Sequence, residues 1–253
     1  MNMNWFSSPG LRSLAGLVLS AALFGLYSLG GYGYLLGFIA LVPWLLALNA
    51  IPTTGATARS GLLMSVAFVL VVFAWFGAAI GAYTGIGSAT GLLVVLVAAP
   101  LLQPQFLVFA LVRHFVGRRY GPVIRTLAAA SAWVATEWLV PRLLGDTLGH
   151  GLYPSQTLRQ IADVGGATGL TFLLILVNEC VAFAITRRHG GVRKSISSLA
   201  IAACLVMVMT GYGVVRLADF RSAAESSEKP LRIGMVQSNI VNYEQLRREM
   251  GAY

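Results

Sequence analysis

A glutamate near the end of a long apolar stretch is the first residue that could do chemistry. Glu137 stands beside Trp138 in that stretch. An ionisable side chain at membrane depth is costly and marks a functional site by default. Its carboxylate can bind a lipid headgroup or pair with Arg142 or Arg159 in the loop that follows. It can equally form hydrogen bonds that only hold the loop in place, and the sequence leaves both interpretations open.

A second glutamate, Glu179, follows Asn178 inside another apolar stretch. An amide and a carboxylate in a membrane helix can form hydrogen bonds across to neighbouring helices. The pair therefore favours a structural role, with polar contacts between helices.

The loop over 141–163 is the longest connection and is rich in polar side chains. Asp146 and His150 are four residues apart and would share one face of a helix, with Ser155 as a nominal nucleophile. A serine hydrolase would place its serine in a strained Gly-x-Ser-x-Gly turn, which does not surround Ser155. The sequence therefore argues against a hydrolytic centre, and the role of the loop stays open.

Contacts to a lipid or its headgroup are the remaining possibility for Glu137 and the loop that follows it. The candidate residues are Glu137, Trp138, Arg142, His150, Arg159, Gln160 and Asp163. The sequence shows no His-x-x-x-His or Cys-x-x-Cys spacing and no Walker-type phosphate loop. We therefore predict no metal site and no cofactor.

The composition indicates which elements must position these residues. Of the 253 residues, 57% are hydrophobic and only 11% are charged, whereas about 25% are charged in a typical soluble domain. This deficit excludes a water-soluble fold, and so apolar a chain is not disordered. Two cysteines cannot form a disulfide framework. The sequence therefore predicts an all-α polytopic membrane protein.

A bilayer core of about 30 Å requires about 20 apolar residues per helix. Runs of this kind predict about seven membrane-spanning helices, at 13–29, 34–48, 61–82, 87–112, 123–140, 165–185 and 196–217. The first run follows Arg12, as in a signal peptide. It lacks a small-residue cleavage site, and another span follows at once, so we expect it to be retained.

The basic residues of the short connections predict the orientation. Ten would lie on one side of the membrane: Arg12, Arg59, Arg113, Arg118, Arg119, Arg125, Arg187, Arg188, Arg193 and Lys194. The opposite side would hold Arg142 and Arg159. The positive-inside rule places the ten, and the N-terminus, in the cytoplasm. An odd number of spans then puts the C-terminal tail on the periplasmic face. The net charge of +9 thus reflects topology and predicts no nucleic-acid partner.

Prolines and small residues predict the packing of the helices. Pro100 and Pro104 each remove a backbone donor, so the fourth span should kink or break near its middle. Small residues spaced by four predict close helix contacts. They are Ala21 and Gly25 in the first span and Gly77, Gly81 and Gly85 in and after the third.

The composition changes after the predicted transmembrane domain at 1–217. Residues 218–230 are polar and charged, which is typical of a linker. Residues 231–237 alternate as a strand does, and Asn242 followed by Gln245 favours a helix start. Chains below roughly 40 residues rarely fold alone, and this strand would leave two edges unpaired. We therefore expect 231–253 to be the incomplete start of an α/β domain outside the membrane.

The whole pattern resembles bacterial apolipoprotein N-acyltransferases. Residues 229–240 (KPLRIGMVQSNI) resemble the junction at which the membrane part of that family meets the first strand of a nitrilase-like domain. Four further stretches resemble the second, fifth and sixth spans and the intervening loop: 41–46 (LVPWLL), 137–139 (EWL), 158–163 (LRQIAD) and 166–172 (GATGLTF). The chain departs from the family at 146–150 (DTLGH), where a Phe-Pro-Trp-like run is usual.

The resemblance implies a reaction and its partners. In that family an acyl chain moves from a membrane phospholipid to a cysteine, and then to the N-terminal diacylglyceryl-cysteine of a lipoprotein. A Glu, Lys and Cys triad in the nitrilase-like domain does this, and none of the three can be assigned here. Cys180 and Cys204 lie in apolar helices, where a thiol lacks the partners that activate it. The resemblance implies a protein of the bacterial inner membrane, and we expect this chain alone to be inactive.

Two alternatives stay open. The chain is either part of a single acyltransferase whose reading frame continues or resumes after Tyr253, or a membrane scaffold that works with a separate catalytic polypeptide. Flanking DNA would distinguish them. A small-molecule transporter would require inverted repeats or paired broken helices, whereas the sequence predicts one kinked helix and no clear repeat. The oligomeric state, the lipid donor and the lipoprotein acceptors are not predicted.

Overall fold

The structure, a computed structural model, describes residues 9–141, 145–187, 191–225, 233–237 and 249–251. Within these ranges the secondary structure is helical, without strands. The described part of the chain contains nine α-helices in this order: α1 (Pro9–Ser28), α2 (Val42–Asn49), α3 (Thr54–Val72), α4 (Ala74–Thr84), α5 (Ser88–Leu102), α6 (Gln105–Gly117), α7 (Pro122–Leu139), α8 (Ala162–Arg187) and α9 (Val192–Glu225). Short 3-10 helices cover Gly31–Phe38, Leu148–Leu152 and Leu158–Ile161.

Six helical segments of the described part are long and apolar enough to cross a membrane. They are Gly10–Ser28, Gly31–Asn49, Thr54–Val72, Ser88–Gly117, Leu158–Arg187 and Val192–Glu225. The helix at the remaining predicted position, α7, has 18 residues. It is not among the six, and it carries Arg125 and Glu137 in a sequence rich in alanine and threonine. In the described residues an all-helical fold with membrane-spanning helices is thus confirmed, and the count of seven spans stays a prediction.

The predicted third span, 61–82, is divided in the structure. Helix α3 begins at Thr54, where the Thr53 hydroxyl accepts a hydrogen bond from the Ala56 amide at 3.3 Å. This N-cap starts the helix earlier than hydropathy alone predicts. The 19-residue helix is then complete at Val72, and α4 follows after Phe73.

The predicted break of the fourth span is confirmed. Helix α5 ends at Leu102 and α6 begins at Gln105, so the interruption falls between Pro100 and the residue after Pro104. The Gln103 carbonyl, which no longer belongs to a regular helix, accepts a hydrogen bond from the Ser65 hydroxyl at 2.8 Å. A polar side chain from α3 therefore satisfies the backbone where proline interrupts it.

Close approach of helices at small residues is also confirmed in part. A Cβ on Gly77 would lie 2.7 Å from the Leu92 Cα, so α4 and α5 meet backbone to backbone. Gly81 contacts the start of α5 in the same way, and Ala21 is buried in α1. Gly85 has a different role, because it ends α4 with a φ of +76° that favours glycine.

Aromatic side chains fill the centre of the bundle. Phe106 lies edge-on to Trp133, with ring centroids 4.8 Å apart, and also contacts Phe24 of α1 and Trp44 of α2. These rings come from four helices and are almost fully buried. Their contacts, each stabilising beyond the area that is buried, join α1, α2, α6 and α7 into one core.

The chain divides into two compact units, Met1–Leu217 and Ala218–Tyr253. Helix α9 continues to Glu225, so the first part of the predicted linker, 218–230, is helical. No glycine or proline occurs between 218 and 229, and helix-favouring residues therefore extend the helix. Residues 233–237 form neither helix nor strand, since the described residues supply no strand to pair with. The rest of the predicted strand, and the helix predicted at Asn242, lie outside the described residues.

Candidate functional site

The segment over 145–161 is bound to the bundle by hydrogen bonds from distant helices. The Tyr27 hydroxyl of α1 donates to the Leu148 carbonyl at 2.6 Å. The Gly149 amide donates to the Thr171 hydroxyl of α8 at 2.9 Å. These bonds fix the segment at one end of the molecule, which we call the loop end.

The Tyr27 ring also lies between two glycines. A Cβ on Gly37, in the first 3-10 helix, would come within 2.6 Å of Tyr27 Cε2. A Cβ on Gly151 would overlap the same ring. Only glycine leaves room for the tyrosine at either position, so the ring joins α1, the first 3-10 helix and the loop segment.

A buried polar chain supports the loop end beside the proline break. Gln105 donates to the Gln103 Oε1, and the Gln103 Nε2 donates to Asp146 Oδ2 at 3.1 Å. Both glutamine side chains are buried. The interrupted helix thus positions an acidic side chain of the loop segment.

A cavity of about 230 Å³ opens between these elements. Its lining includes the apolar side chains of Phe24, Phe68 and Val72 and the polar side chains of Asp146 and His150. A cavity with both kinds of lining can hold an apolar chain against the first and a polar group against the second.

The structure does not bring the predicted lipid-contact residues together. Of the described members of that set, only His150 lines the cavity. Glu137 is 4% exposed, and its Oε1 accepts a hydrogen bond from the Trp133 indole of the same helix at 3.0 Å. Trp138 is 75% exposed and donates to the Thr168 hydroxyl at 3.1 Å. Arg142 lies outside the described residues.

The other members of the set bind local partners. Arg159 donates to the Tyr153 carbonyl at 3.1 Å, and Gln160 donates to the Gln156 carbonyl at 2.8 Å. Asp163 forms an ion pair with Arg216 of α9 at 2.7 Å, in which both side chains are more than one third exposed. These contacts hold the start of α8 against its neighbours.

The sequence argument against a hydrolytic trio agrees with the geometry. His150 Nδ1 accepts a hydrogen bond from the Thr147 amide at 3.0 Å. The Ser155 hydroxyl accepts one from the Leu158 amide at 3.2 Å, and Asp146 bonds Gln103. Each of the three side chains therefore has a separate partner.

A second polar cluster lies at the opposite end of the bundle, which we call the basic end. It carries the turn between α6 and α7 and the connection between α8 and α9. Arg113 pairs with Glu179 through two hydrogen bonds, one of them from Nη2 to Oε2 at 3.2 Å. Arg125 donates to the same Oε2 at 3.3 Å. The predicted role of Glu179 in bonding between helices is confirmed.

Arg113 differs from its prediction as a residue of a cytoplasmic connection. It lies in α6, which continues to Gly117, and is 5% exposed. Because Glu179 lies opposite, the guanidinium can be buried as part of an ion pair. One feature of the sequence could have indicated that an arginine is buried here. Glu179 is the one acidic residue in 164–217, and a carboxylate in an apolar helix needs a basic partner.

Asn178 supports the second membrane segment, Gly31–Asn49. Its Oδ1 accepts from the Leu41 amide at 2.9 Å, and its Nδ2 donates to the Gly37 and Leu174 carbonyls at 2.8 Å each. Leu41 and Gly37 belong to the stretch where a 3-10 helix gives way to α2. The amide therefore satisfies backbone groups that a continuous helix would satisfy itself, which confirms the predicted bonding between helices.

The two cysteines lie in α8 and α9, outside the segment over 145–161. Cys180 is half-buried in α8, Cys204 is exposed on α9, and both thiols are free. The described residues contain no group of three histidine, cysteine or acidic side chains that could hold a metal ion.

Comparisons with known proteins match residues of both the loop end and the basic end. The family profile described as the apolipoprotein N-acyltransferase N-terminal domain matches residues 15–180. The apolipoprotein N-acyltransferase of Geobacter metallireducens is 28% identical over 214 residues, which cover 81% of this chain. The chain spans 39% of that relative's length. No solved structure matches.

Proposed function

The chain belongs to the apolipoprotein N-acyltransferase family, and from this premise we propose that it provides the membrane domain of a lipoprotein N-acyltransferase. The enzyme would move an acyl chain from a membrane phospholipid to the N-terminal diacylglyceryl-cysteine of a lipoprotein. Residues 1–217 would form the transmembrane domain, 218–230 the connection, and 231–253 the start of a nitrilase-like domain.

The observation that carries this proposal is the cavity at the loop end. The substrates of the proposed enzyme are lipids, each with apolar chains and a polar end. The cavity offers apolar side chains from α1 and α3 and polar side chains at Asp146 and His150. We propose that one acyl chain lies against Phe68 and Val72 while the polar end of the lipid stays near Asp146 and His150.

The chain's own residues position a lipid and do not react with it. Transfer needs a thiolate with a base and an oxyanion partner beside it. Cys180 lies in α8 beside an ion-paired glutamate, and Cys204 lies on an apolar helix surface. We therefore propose that this chain alone forms no acyl-thioester. Acyl transfer to a diacylglyceryl peptide by the purified chain would contradict this.

A cavity-filling substitution tests the lipid site. Val72 lines the cavity, so Val72→Trp should occupy the space of an acyl chain. In nanodiscs that contain phosphatidylethanolamine with a photoreactive acyl chain, we expect labelling within 68–73 and 145–153. We expect the variant to lower that labelling about tenfold, which corresponds to about 1.4 kcal/mol of binding free energy.

Leu70→Trp is the matched control, because Leu70 lies two residues away on the same helix and is 46% exposed. It adds the same ring outside the cavity and should leave the labelling unchanged. Equal labelling of both variants and the parent chain would contradict the proposed site. The thermal unfolding temperatures of the three proteins show whether each is folded.

We further propose that the protein lies in the bacterial inner membrane with the loop end facing the periplasm. The distribution of basic residues supports this orientation, since the basic end carries Arg118, Arg119, Arg187 and Lys194. The N-terminus would then be cytoplasmic and the C-terminal tail periplasmic.

Limited proteolysis measures the orientation. Protease added outside intact spheroplasts should cut within 221–229 and leave the connection over 187–194 whole. In inverted membrane vesicles the second site should be cut. The reverse pattern in spheroplasts would invert the proposed topology.

A further inference from the structure

The polar cluster at the basic end carries an unbalanced positive charge. Two guanidinium groups, those of Arg113 and Arg125, share the single carboxylate of Glu179. The first 217 residues contain three other acidic residues, Glu137, Asp146 and Asp163, at or near the loop end. Because burial of an unbalanced charge is costly, the cluster favours an additional anion.

Arg125 is the member of the cluster that can receive this anion. Arg113 uses two of its nitrogen atoms on Glu179, and its Nη2 also donates to Asn49 at 2.9 Å. Arg125 makes one bond to Glu179, and its buried Nε has no hydrogen-bond partner in the described part of the chain. An orphaned buried donor on a charged group is expected to have a ligand.

A cavity of about 370 Å³ lies beside Arg125 and is also lined by Tyr120, Thr186 and Arg187. Two guanidinium groups and the phenol of Tyr120 thus border the same space, whereas the Thr186 hydroxyl donates to the Ala182 carbonyl at 2.8 Å. Arginine binds phosphate oxygens through parallel N–H donors, and hydroxyl groups add further bonds. The cavity has the chemistry of a phosphate site.

An apolar groove of about 400 Å³ adjoins this cavity. It is lined by α7, α8 and α9, with Leu127, Leu176 and Ile201 among its side chains and Lys194 at the basic end. Pro122 and Phe183 line both spaces. The Arg187 guanidinium lies 5.7 Å from the centre of the Phe183 ring, so a cation stands where the two spaces meet.

We propose that the basic end binds one anionic phospholipid. Its phosphate would bind Arg125 and Arg187, and one acyl chain would lie in the groove between α7 and α9. A free anion would account for the charged cavity but not for the adjoining apolar groove. This lipid would be distinct from the substrate proposed at the loop end, and it would stabilise the packing of α7, α8 and α9.

Lipid titration of the purified chain in detergent tests the proposal. The probes are dioleoyl phosphatidylglycerol, dioleoyl phosphatidylethanolamine and inorganic phosphate, and native mass spectrometry and thermal unfolding are the measurements. We expect phosphatidylglycerol to form a one-to-one adduct and to raise the unfolding temperature. We expect the other two probes to have much smaller effects.

Substitutions locate the site. The double variant Arg187→Gln with Lys194→Gln should weaken phosphatidylglycerol binding about tenfold, since both cations border the proposed lipid. Arg118→Gln with Arg119→Gln removes two exposed cations from the same end without touching either space, and should change binding less than about twofold. Ile201→Trp should fill the groove and block the lipid, although it leaves the cations in place.

Three results would overturn the proposal. Equal binding of phosphatidylglycerol and phosphatidylethanolamine would exclude charge recognition. Equal stabilisation by inorganic phosphate would assign the cavity to a free anion. An equal loss in the two double variants would show general attraction of anionic lipid to a basic surface. None of these measurements depends on acyl transfer, so the proposed function can fail while this inference holds.

Discussion

Replacement of Glu179 by glutamine is expected to lower the free energy of unfolding by about 3–5 kcal/mol, the range for a buried ion pair that loses one partner. The side chain is 1% exposed and pairs with both Arg113 and Arg125. Without the carboxylate, the buried guanidinium of Arg113 and the partly buried guanidinium of Arg125 both lose this counter-charge. Thermal unfolding of the purified protein in detergent, and its yield in the membrane fraction, measure the effect.

Asp163→Asn is the matched control for this variant. It also removes a carboxylate from an ion pair with an arginine, Arg216, but in that pair both side chains are more than one third exposed. Exposed pairs contribute about 0–1 kcal/mol, so the control should have nearly the parent stability. Similar losses from both variants would show that burial of Glu179 does not determine its contribution.

A second variant shows whether the loss comes from the unpaired charge. Arg113→Gln combined with Glu179→Gln removes one charge of each sign. We expect the double variant to be more stable than the sum of the two single losses implies, because the guanidinium of Arg113 is gone and only that of Arg125 has lost its carboxylate. Strict additivity would contradict the assigned pairing.

Replacement of Asn178 by leucine is expected to cost about 2–4 kcal/mol, since each buried polar group left without a partner costs about 1–3 kcal/mol. The side chain is fully buried and joins the Leu41 amide to the Gly37 carbonyl. Leucine has a similar volume and leaves both backbone groups without this partner. Thermal unfolding measures the loss, and hydrogen exchange at 37–45 should increase.

Thr210→Val is the control for the leucine variant. Its hydroxyl donates only to the Val206 carbonyl of its own helix, at 2.8 Å, on an exposed face. We expect a change of less than about 0.5 kcal/mol, as for most surface substitutions. Unchanged exchange at 37–45 in Asn178→Leu would show that the amide does not hold the second membrane segment.

Local chemistry in the sequence predicted several features correctly. Pro100 and Pro104 predict the break between α5 and α6 because a missing backbone donor acts where it stands. Asn178 and Glu179 predict bonds between helices because polar groups in an apolar environment must find partners. These inferences needed the residue and its immediate surroundings, and no knowledge of the fold.

Features that depend on distant partners were not predictable in this way. Arg113 is buried only because a glutamate 66 positions later lies opposite it. Tyr27 bonds a carbonyl 121 positions away, and the sequence around it shows no periodicity that indicates such a contact. Most of the predicted lipid-contact residues shared a loop, but Arg159 and Gln160 each bind a carbonyl within six residues of themselves. Proximity along the chain therefore did not produce a common site.

The position of the Tyr27 ring between Gly37 and Gly151 constrains how this protein can diverge. Either glycine can gain a side chain only after Tyr27 has been replaced by a residue with a smaller side chain. Such a replacement leaves a void until one of the glycines is also replaced. The three positions should therefore vary together among homologues, although they lie in three separate segments of the chain. Covariation at these positions would identify family members that retain the same attachment of the loop to the bundle.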